Sequence, residues 1–266
     1  MFVADTRIDK ADQWGDELYM YQFDDGKTEK NQRKLYSNFL DRGHMSKRED
    51  PQWGTTKEIA ERGARLTFFF TNAVPQVGQL NRGLWGSLED YILKEASAVK
   101  RGGKAKTPGI SYNINVFTGP VFQDDDPNLE VEVGGKKTLA KIPTLFWKIA
   151  YYKKLSDGKL YYVGFLLGQK QLLKEYMGSL LKKEAKITTA DEKELFADFK
   201  DKEVFQTNIS FIEKLTSLSF FKAIDPFVDK RQGVEIVEKV QVQKKDISGD
   251  EVEYDYGVGG ISLGLD

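Results

Sequence analysis

Two long apolar runs dominate the chain. Residues 142–152 (IPTLFWKIAYY) and 160–167 (LYYVGFLL) are rich in aromatic and branched side chains and are separated by the polar stretch SDGK. Such residues suit a pleated, packed surface, and an Asp-Gly dipeptide favours a tight hairpin turn. The pattern therefore predicts an antiparallel strand pair, turning at Asp157-Gly158, at the centre of the core. SYNINVFTGPVF at 111–122 predicts a central strand that ends at Gly119 and Pro120. RLTFFF at 65–70 predicts a buried strand, halted at Pro75 because proline cannot donate to a ladder.

Elsewhere the period lengthens. Leu84, Leu88, Tyr91 and Ile92 recur every three or four positions and predict a helix from about Gly83 to Val99. Ile209, Ile212 and Leu215 predict a docked helix within 205–218. The opening MFVAD reads as a strand, and polar residues 9–34 read as a long loop. KRGGKAKTPG and DDDP read as turns. Beyond Pro226 the pattern weakens into a hairpin-like alternation, expected to be a peripheral tail.

Composition narrows the chemistry. The 266 residues suffice for one large domain or two small ones with a real core. Forty Lys and Arg against 41 Asp and Glu leave a net charge of -1, so any nucleic-acid binding must come from a local patch. The absence of cysteine excludes disulfides, thiolate zinc sites, iron-sulfur clusters and cysteine nucleophiles. No apolar run reaches the roughly 20 residues of a membrane span. The first residues lack the charged-then-apolar pattern of a signal peptide.

His44 is the only histidine, so imidazole chemistry has a single candidate. Asp41, Arg42, Gly43 and His44 set an acid, a guanidinium, a flexible glycine and the imidazole side by side, with Lys47 and Arg48 following. That set suits an anionic phosphate. Asn72, Gln76, Asn81 and Glu89 gather amide and carboxylate oxygens around the start of the predicted helix. Hard cations favour such donors, and magnesium needs only one or two from the protein. Each residue also has a plainer reading. A lone histidine is more often a surface or core residue, Asn81 more often a helix N-cap, and Glu89 an exposed helix carboxylate. Trp85 and Leu88 read as core packing.

The motifs DRGHM, TNAVPQ, LNRGLW, LEDY, VFTGPVF and IPTLFWK follow one another in that order. Together they resemble the DNA/RNA non-specific endonuclease family, which includes the Serratia nuclease and mitochondrial endonuclease G. Its site is the ββα-metal, or His-Me finger, motif. The similarity runs from Phe2 to about Lys222. It implies an α+β fold with a central, mostly antiparallel sheet flanked by helices. Residues 1–225 would form the nuclease domain, with an N-terminal strand expected to be missing, and 226–266 a peripheral tail or hairpin.

The resemblance further implies a hydrolase that cuts phosphodiesters of DNA and RNA without sequence preference, using Mg2+ and tolerating Mn2+. By motif, His44 corresponds to the general base, Asn81 to the direct metal ligand and Arg42 to a phosphate-binding arginine. Glu89 matches a carboxylate acting at or near the hydrated metal, and Asn72 and Gln76 match polar positions on the substrate wall. The implied partners are DNA and RNA, with no membrane; a homodimer or a specific inhibitor protein is compatible, and a secreted or extracytoplasmic setting is expected. Two features depart from the pattern. Neither Arg7 nor Arg33 has the context of the family's upstream arginine, and Leu93 stands where some members carry a basic residue. The unassigned upstream arginine, with the short N-terminus, leaves a catalytically silent nucleic-acid-binding relative as the alternative.

Overall fold

The computed structural model describes residues 40–96, 110–133, 136–154, 157–181, 204–226, 237–239, 241–244 and 256–259. The expectations for MFVAD, the loop at 9–34 and the KRGGKAKTPG turn lie outside these residues. The chain divides into two units, Met1–Gly78 with Asp126–Pro143, and Gln79–Asp125 with Thr144–Asp266.

In the first unit, β1 (Leu40–His44) and β2 (Ala73–Val77) form a two-stranded antiparallel ribbon. Between them lie α1 (Lys57–Leu66) and a 3-10 turn, Phe70–Asn72. Thr56 begins α1 in an extended conformation, its hydroxyl accepting from the Ile59 N–H at 3.4 Å, which satisfies a donor at the helix start. Ala60 and Ala64 form the buried stripe. At the far end the Thr67 hydroxyl donates to the Ala64 carbonyl at 2.7 Å. RLTFFF is therefore not a strand: Arg65 and Leu66 close α1 with exposed side chains, and Thr67 and Phe68 are buried in the turn that follows. Strand propensity yields here to the helix and its cap. Pro75 does not halt a strand either, since it lies inside β2 opposite Arg42. In a two-stranded ribbon every strand is an edge, where a missing N–H is tolerated. A second hairpin joins β4 (Asn128–Val133) to β5 (Lys136–Lys141), just after the expected DDDP turn.

The second unit is built on a five-stranded antiparallel sheet of order β3-β6-β7-β8-β9. The strands are β3 (Ile110–Val121), β6 (Leu145–Lys154), β7 (Leu160–Gly168), β8 (Val204–Thr207) and β9 (Val237–Lys239). The aromatic pair β6–β7 is the predicted hairpin, and Gly158 in its turn takes φ +67, a left-handed conformation that glycine adopts freely. β3, expected at the centre, is instead an edge strand and runs through Gly119 and Pro120 to Val121. Edge status again accommodates the proline. β9 comes from within the C-terminal stretch, as do β10 (Gln241–Lys244) and β11 (Tyr256–Gly259), which pair antiparallel.

Every residue of β6 from Leu145 to Tyr152 is buried because both sheet faces are covered. On one face Leu145, Trp147, Ile149 and Tyr151 pack with Val121, Leu166, Ile209, Phe211 and Ile212. The last three belong to α4 (Ile209–Thr216), which follows α3 (Lys170–Leu181). Gly164 permits the close approach of α4: a Cβ there would lie 2.8 Å from the Ile212 Cδ1 and 2.9 Å from the Ile209 Cδ1. On the other face lies a helical segment of three parts, a π-helical turn Leu80–Trp85, α2 (Gly86–Asp90) and a second π-helical turn Tyr91–Ala96. It begins at Leu80 rather than Gly83, and Gly83 is a kink with φ -96 and ψ -110. Trp85 and Leu88 are fully buried, and the Trp85 ring meets Phe146 of β6 edge-on at 5.7 Å. The chain is α+β. No described helix is long and apolar enough to cross a membrane.

Candidate active site

The ribbon β1–β2 carries three of the six candidate residues, Arg42, His44 and Gln76, and Asn72 immediately precedes β2. The ribbon's register sets Asp41 opposite Gln76, Arg42 opposite Pro75, Gly43 opposite Val74 and His44 opposite Ala73. Side chains alternate along a strand and directly opposed residues share a face. Arg42 and His44 therefore occupy one face, while Asp41, Gly43 and Gln76 occupy the other. A Cβ on Gly43 would fall 2.0 Å from the Gln76 Oε1 and 2.4 Å from its Cδ. The glycine of DRGH thus makes room for the Gln76 amide. That amide is fully buried, and neither its oxygen nor its nitrogen has a hydrogen-bond partner among the described residues. Gln76, expected on the substrate wall, is a buried side chain laid across Gly43.

Asn72 ties the ribbon to the turn that follows His44. Its backbone carbonyl accepts from the Met45 N–H at 2.9 Å. Its side-chain Oδ1 accepts from the Ser46 N–H, and its Nδ2 donates to the Ser46 and Thr67 carbonyls, all at 2.9 Å. The Asn72 carboxamide, also expected on the substrate wall, is thus committed to backbone, and its effect is to hold the chain just past His44. The His44 ring lies edge-on to Phe68 with centroids 4.9 Å apart. Burial pulls its pKa from the usual 6.5 to about 4, with Glu49 opposing the shift and Arg48 adding to it. The imidazole is therefore neutral at pH 7. The basic pair Lys47-Arg48 is less available to an anion than its sequence suggests, because the Arg48 guanidinium meets Glu49 at 2.7 Å.

In the second unit, Asn81 is half-buried inside the first π-helical turn, and the N-cap position belongs to Gln79. The Asn81 backbone carbonyl accepts from the Gly86 N–H, five residues on. Glu89 is not an exposed helix carboxylate. It is 7 % exposed and lies 3.1 Å from the Nζ of Lys148, itself 1 % exposed. The ammonium also stands 4.4 Å from the centre of the Trp85 ring, a favourable cation–π placement. Among the described residues no group of three or more His, Asp or Glu gathers in the manner of a protein-built metal cage.

A family model described as DNA/RNA non-specific endonuclease matches residues 2–227. The chain belongs to this endonuclease family. An uncharacterised protein of Sinorhizobium fredii is 33% identical over 167 residues, which is 62% of this chain and 20% of that protein. Human mitochondrial endonuclease G is 30% identical over 116 residues, 41% of this chain and 32% of its own length. The bovine protein of the same name is 28% identical over 115 residues, with the same two shares. The matched segments thus span between a fifth and a third of these relatives.

Within this member of the family, sequence reasoning overlooks Lys148. A signal for it exists, since it is the one charged residue in the run LFWKIAYY. A buried lysine demands a partner, but the partner lies 59 residues away in sequence.

Proposed function

We propose that this chain is a metal-dependent endonuclease that hydrolyses phosphodiesters of DNA and RNA without sequence preference, with His44 as the base that takes the proton of the attacking water. The observation that carries this reading is the state of His44. Burial holds it neutral at physiological pH, it shares a ribbon face with Arg42, and the chain beyond it is pinned by Asn72. A neutral imidazole is the form that accepts a proton. The Arg42 guanidinium offers charge-assisted hydrogen bonds to the phosphate oxygens. Contact through phosphate rather than base edges carries little sequence information, which fits action on both nucleic acids.

Magnesium, with manganese as a substitute, fits the donor chemistry. Asn81 supplies an amide oxygen, a hard donor, from within a helical turn rather than from a cap. A site lacking a carboxylate cage suits an ion that keeps most of its waters. When bound, the ion would supply positive charge to the phosphate and a water able to protonate the departing 3′ oxygen. Glu89 would accept a hydrogen bond from such a water. Asn72 and Gln76 act by shaping the ribbon around His44.

Nicking of supercoiled plasmid and degradation of single-stranded RNA, each with Mg2+ and with EDTA, test the reading. Cutting of both substrates with metal and of neither with EDTA is expected. Retention of nucleic acid without any cutting in either condition would establish the silent relative instead.

A further inference from the structure

The carboxylate assigned to cleavage lies out of water, and a lone carboxyl there would shift towards its neutral form. A neutral Glu89 would accept a hydrogen from water more weakly and would offset no cationic charge. The interior of the second unit answers this with Lys148, whose Nζ is 3.1 Å from the Glu89 Oε1. Lys148 sits in the interior of the sheet, opposite Thr118 on β3 and Phe165 on β7. The Trp85 ring bounds its ammonium on a further side at 4.4 Å. Strand hydrogen bonding fixes the base of the lysine, and the aromatic ring restricts its tip.

Stability alone gives little reason for such a pair. Replacing a buried ion pair by well-packed apolar residues is often neutral or stabilising, and β6 is otherwise an aromatic and aliphatic run. A carboxylate that must remain ionised and aimed while buried does need a fixed cation. We infer that Lys148 is a positioning residue for Glu89, holding its carboxylate ionised and fixed in direction for phosphodiester cleavage. The inference rests on the assignment of Glu89 to the cleavage machinery.

The test compares Lys148→Met, Lys148→Arg, Glu89→Gln and the double variant Glu89→Gln with Lys148→Met, reading kcat, KM and thermal melting for each. Loss of a partner that orients a functional group typically costs about 10- to 100-fold in activity. Lys148→Met should lower kcat by that order while KM changes by less than about threefold. Lys148→Arg should recover most of the loss, since it keeps the charge. Glu89→Gln should be about as slow as Lys148→Met, and the double variant no slower than Glu89→Gln alone, because the two residues act as one unit.

Three outcomes would overturn the inference. Folded Lys148→Met with wild-type kcat, beside a slow Glu89→Gln, sinks it and leaves the role of Glu89 intact. A further drop in the double variant, equal to that of Lys148→Met in the wild-type background, shows a merely structural lysine. Wild-type kcat in Glu89→Gln removes the underlying assignment and the inference together. If Lys148→Met fails to fold, the neutral double variant against Glu89→Gln, with Lys148→Arg beside them, decides the matter by the same comparison.

Discussion

The ribbon that carries Arg42 and His44 and the sheet that carries Lys148 hold these candidate side chains by different means. The ribbon has two five-residue strands, and the chain beyond His44 is tied down by polar contacts that converge on Asn72. The sheet has five strands and apolar packing on both faces of β6. Two short strands offer less apolar packing than a five-stranded sheet, so the hydrogen bonds of Asn72 bear more heavily on where the imidazole sits. In the sheet the apolar area dominates, and one lost contact changes stability before it changes geometry. Substitutions in the ribbon should therefore be read mainly in rate, and those at apolar positions of the sheet mainly in melting temperature, with Lys148 set apart by its contact with Glu89.

The sharpest test removes the imidazole. His44→Ala should lower kcat by about 10²- to 10⁴-fold, the usual cost of a lost general base, while melting changes little. Added imidazole should restore part of the rate, since no second histidine is present to take over. Near-wild-type cutting of both plasmid and RNA by this variant would end the proposed mechanism.

Two glycines set the regions directly against each other. Gly164→Ala would press its methyl against Ile212, Ile209 and the Thr207 carbonyl, all within 2.9 Å, and overpacking of this kind costs about 1–3 kcal/mol. Its melting temperature should fall with kcat unchanged. Gly43→Ala would collide with the Gln76 amide at a comparable cost of about 1–3 kcal/mol, but kcat should fall as well because His44 is the next residue. Adding Gln76→Ala should relieve Gly43→Ala and leave Gly164→Ala untouched. Equal kcat losses from the two glycine variants would erase the proposed distinction.

Asn72→Ala tests the same ribbon from its polar ties. It strips hydrogen bonds from the Ser46 N–H and from the Ser46 and Thr67 carbonyls, at roughly 0.5–1.5 kcal/mol each for partly buried groups. A drop in kcat larger than the accompanying instability explains is expected, measured at a temperature where the variant is fully folded. Unchanged kcat would mean that the turn after His44 holds itself.

What could be read from the chain alone follows the same division. The β6–β7 hairpin is legible because the Asp157-Gly158 turn and the two apolar runs are local signals. The prolines mislead because tolerance of Pro75 and Pro120 depends on edge position, which is a property of the assembled sheet. RLTFFF misleads because the Thr56 cap and the Ala60 and Ala64 stripe draw its first residues into a helix. Among the proposed site residues, Arg42, His44, Asn81 and Glu89 rest on motif order. The commitment of Asn72 to backbone and the placement of Gln76 over Gly43 depend on register, and the Glu89–Lys148 pair joins a helix to a strand distant in sequence.

The smallest effect is also the cleanest, because one histidine carries it. The folded pKa of His44 is depressed from the usual 6.5 to about 4, so the unfolded chain binds this proton more tightly. The associated stability is full above pH 6.5 and is lost as the pH falls through the window down to about 4. Between pH 7 and pH 6 the loss from this residue is about 0.7 kcal/mol, an upper figure because the ring retains some exposure. The buried tyrosines of the sheet add nothing in that window, since burial pushes Tyr152 and Tyr162 up, further from neutrality. Denaturant melts of wild type and His44→Ala at both pH values should differ by that increment, with the variant showing the smaller pH dependence. The acid limb of kcat/KM should lie nearer 4 than 6.5. A limb at 6.5, with identical pH dependence of stability in the two proteins, would place His44 in water and undo the claim that burial keeps the imidazole ready to accept a proton.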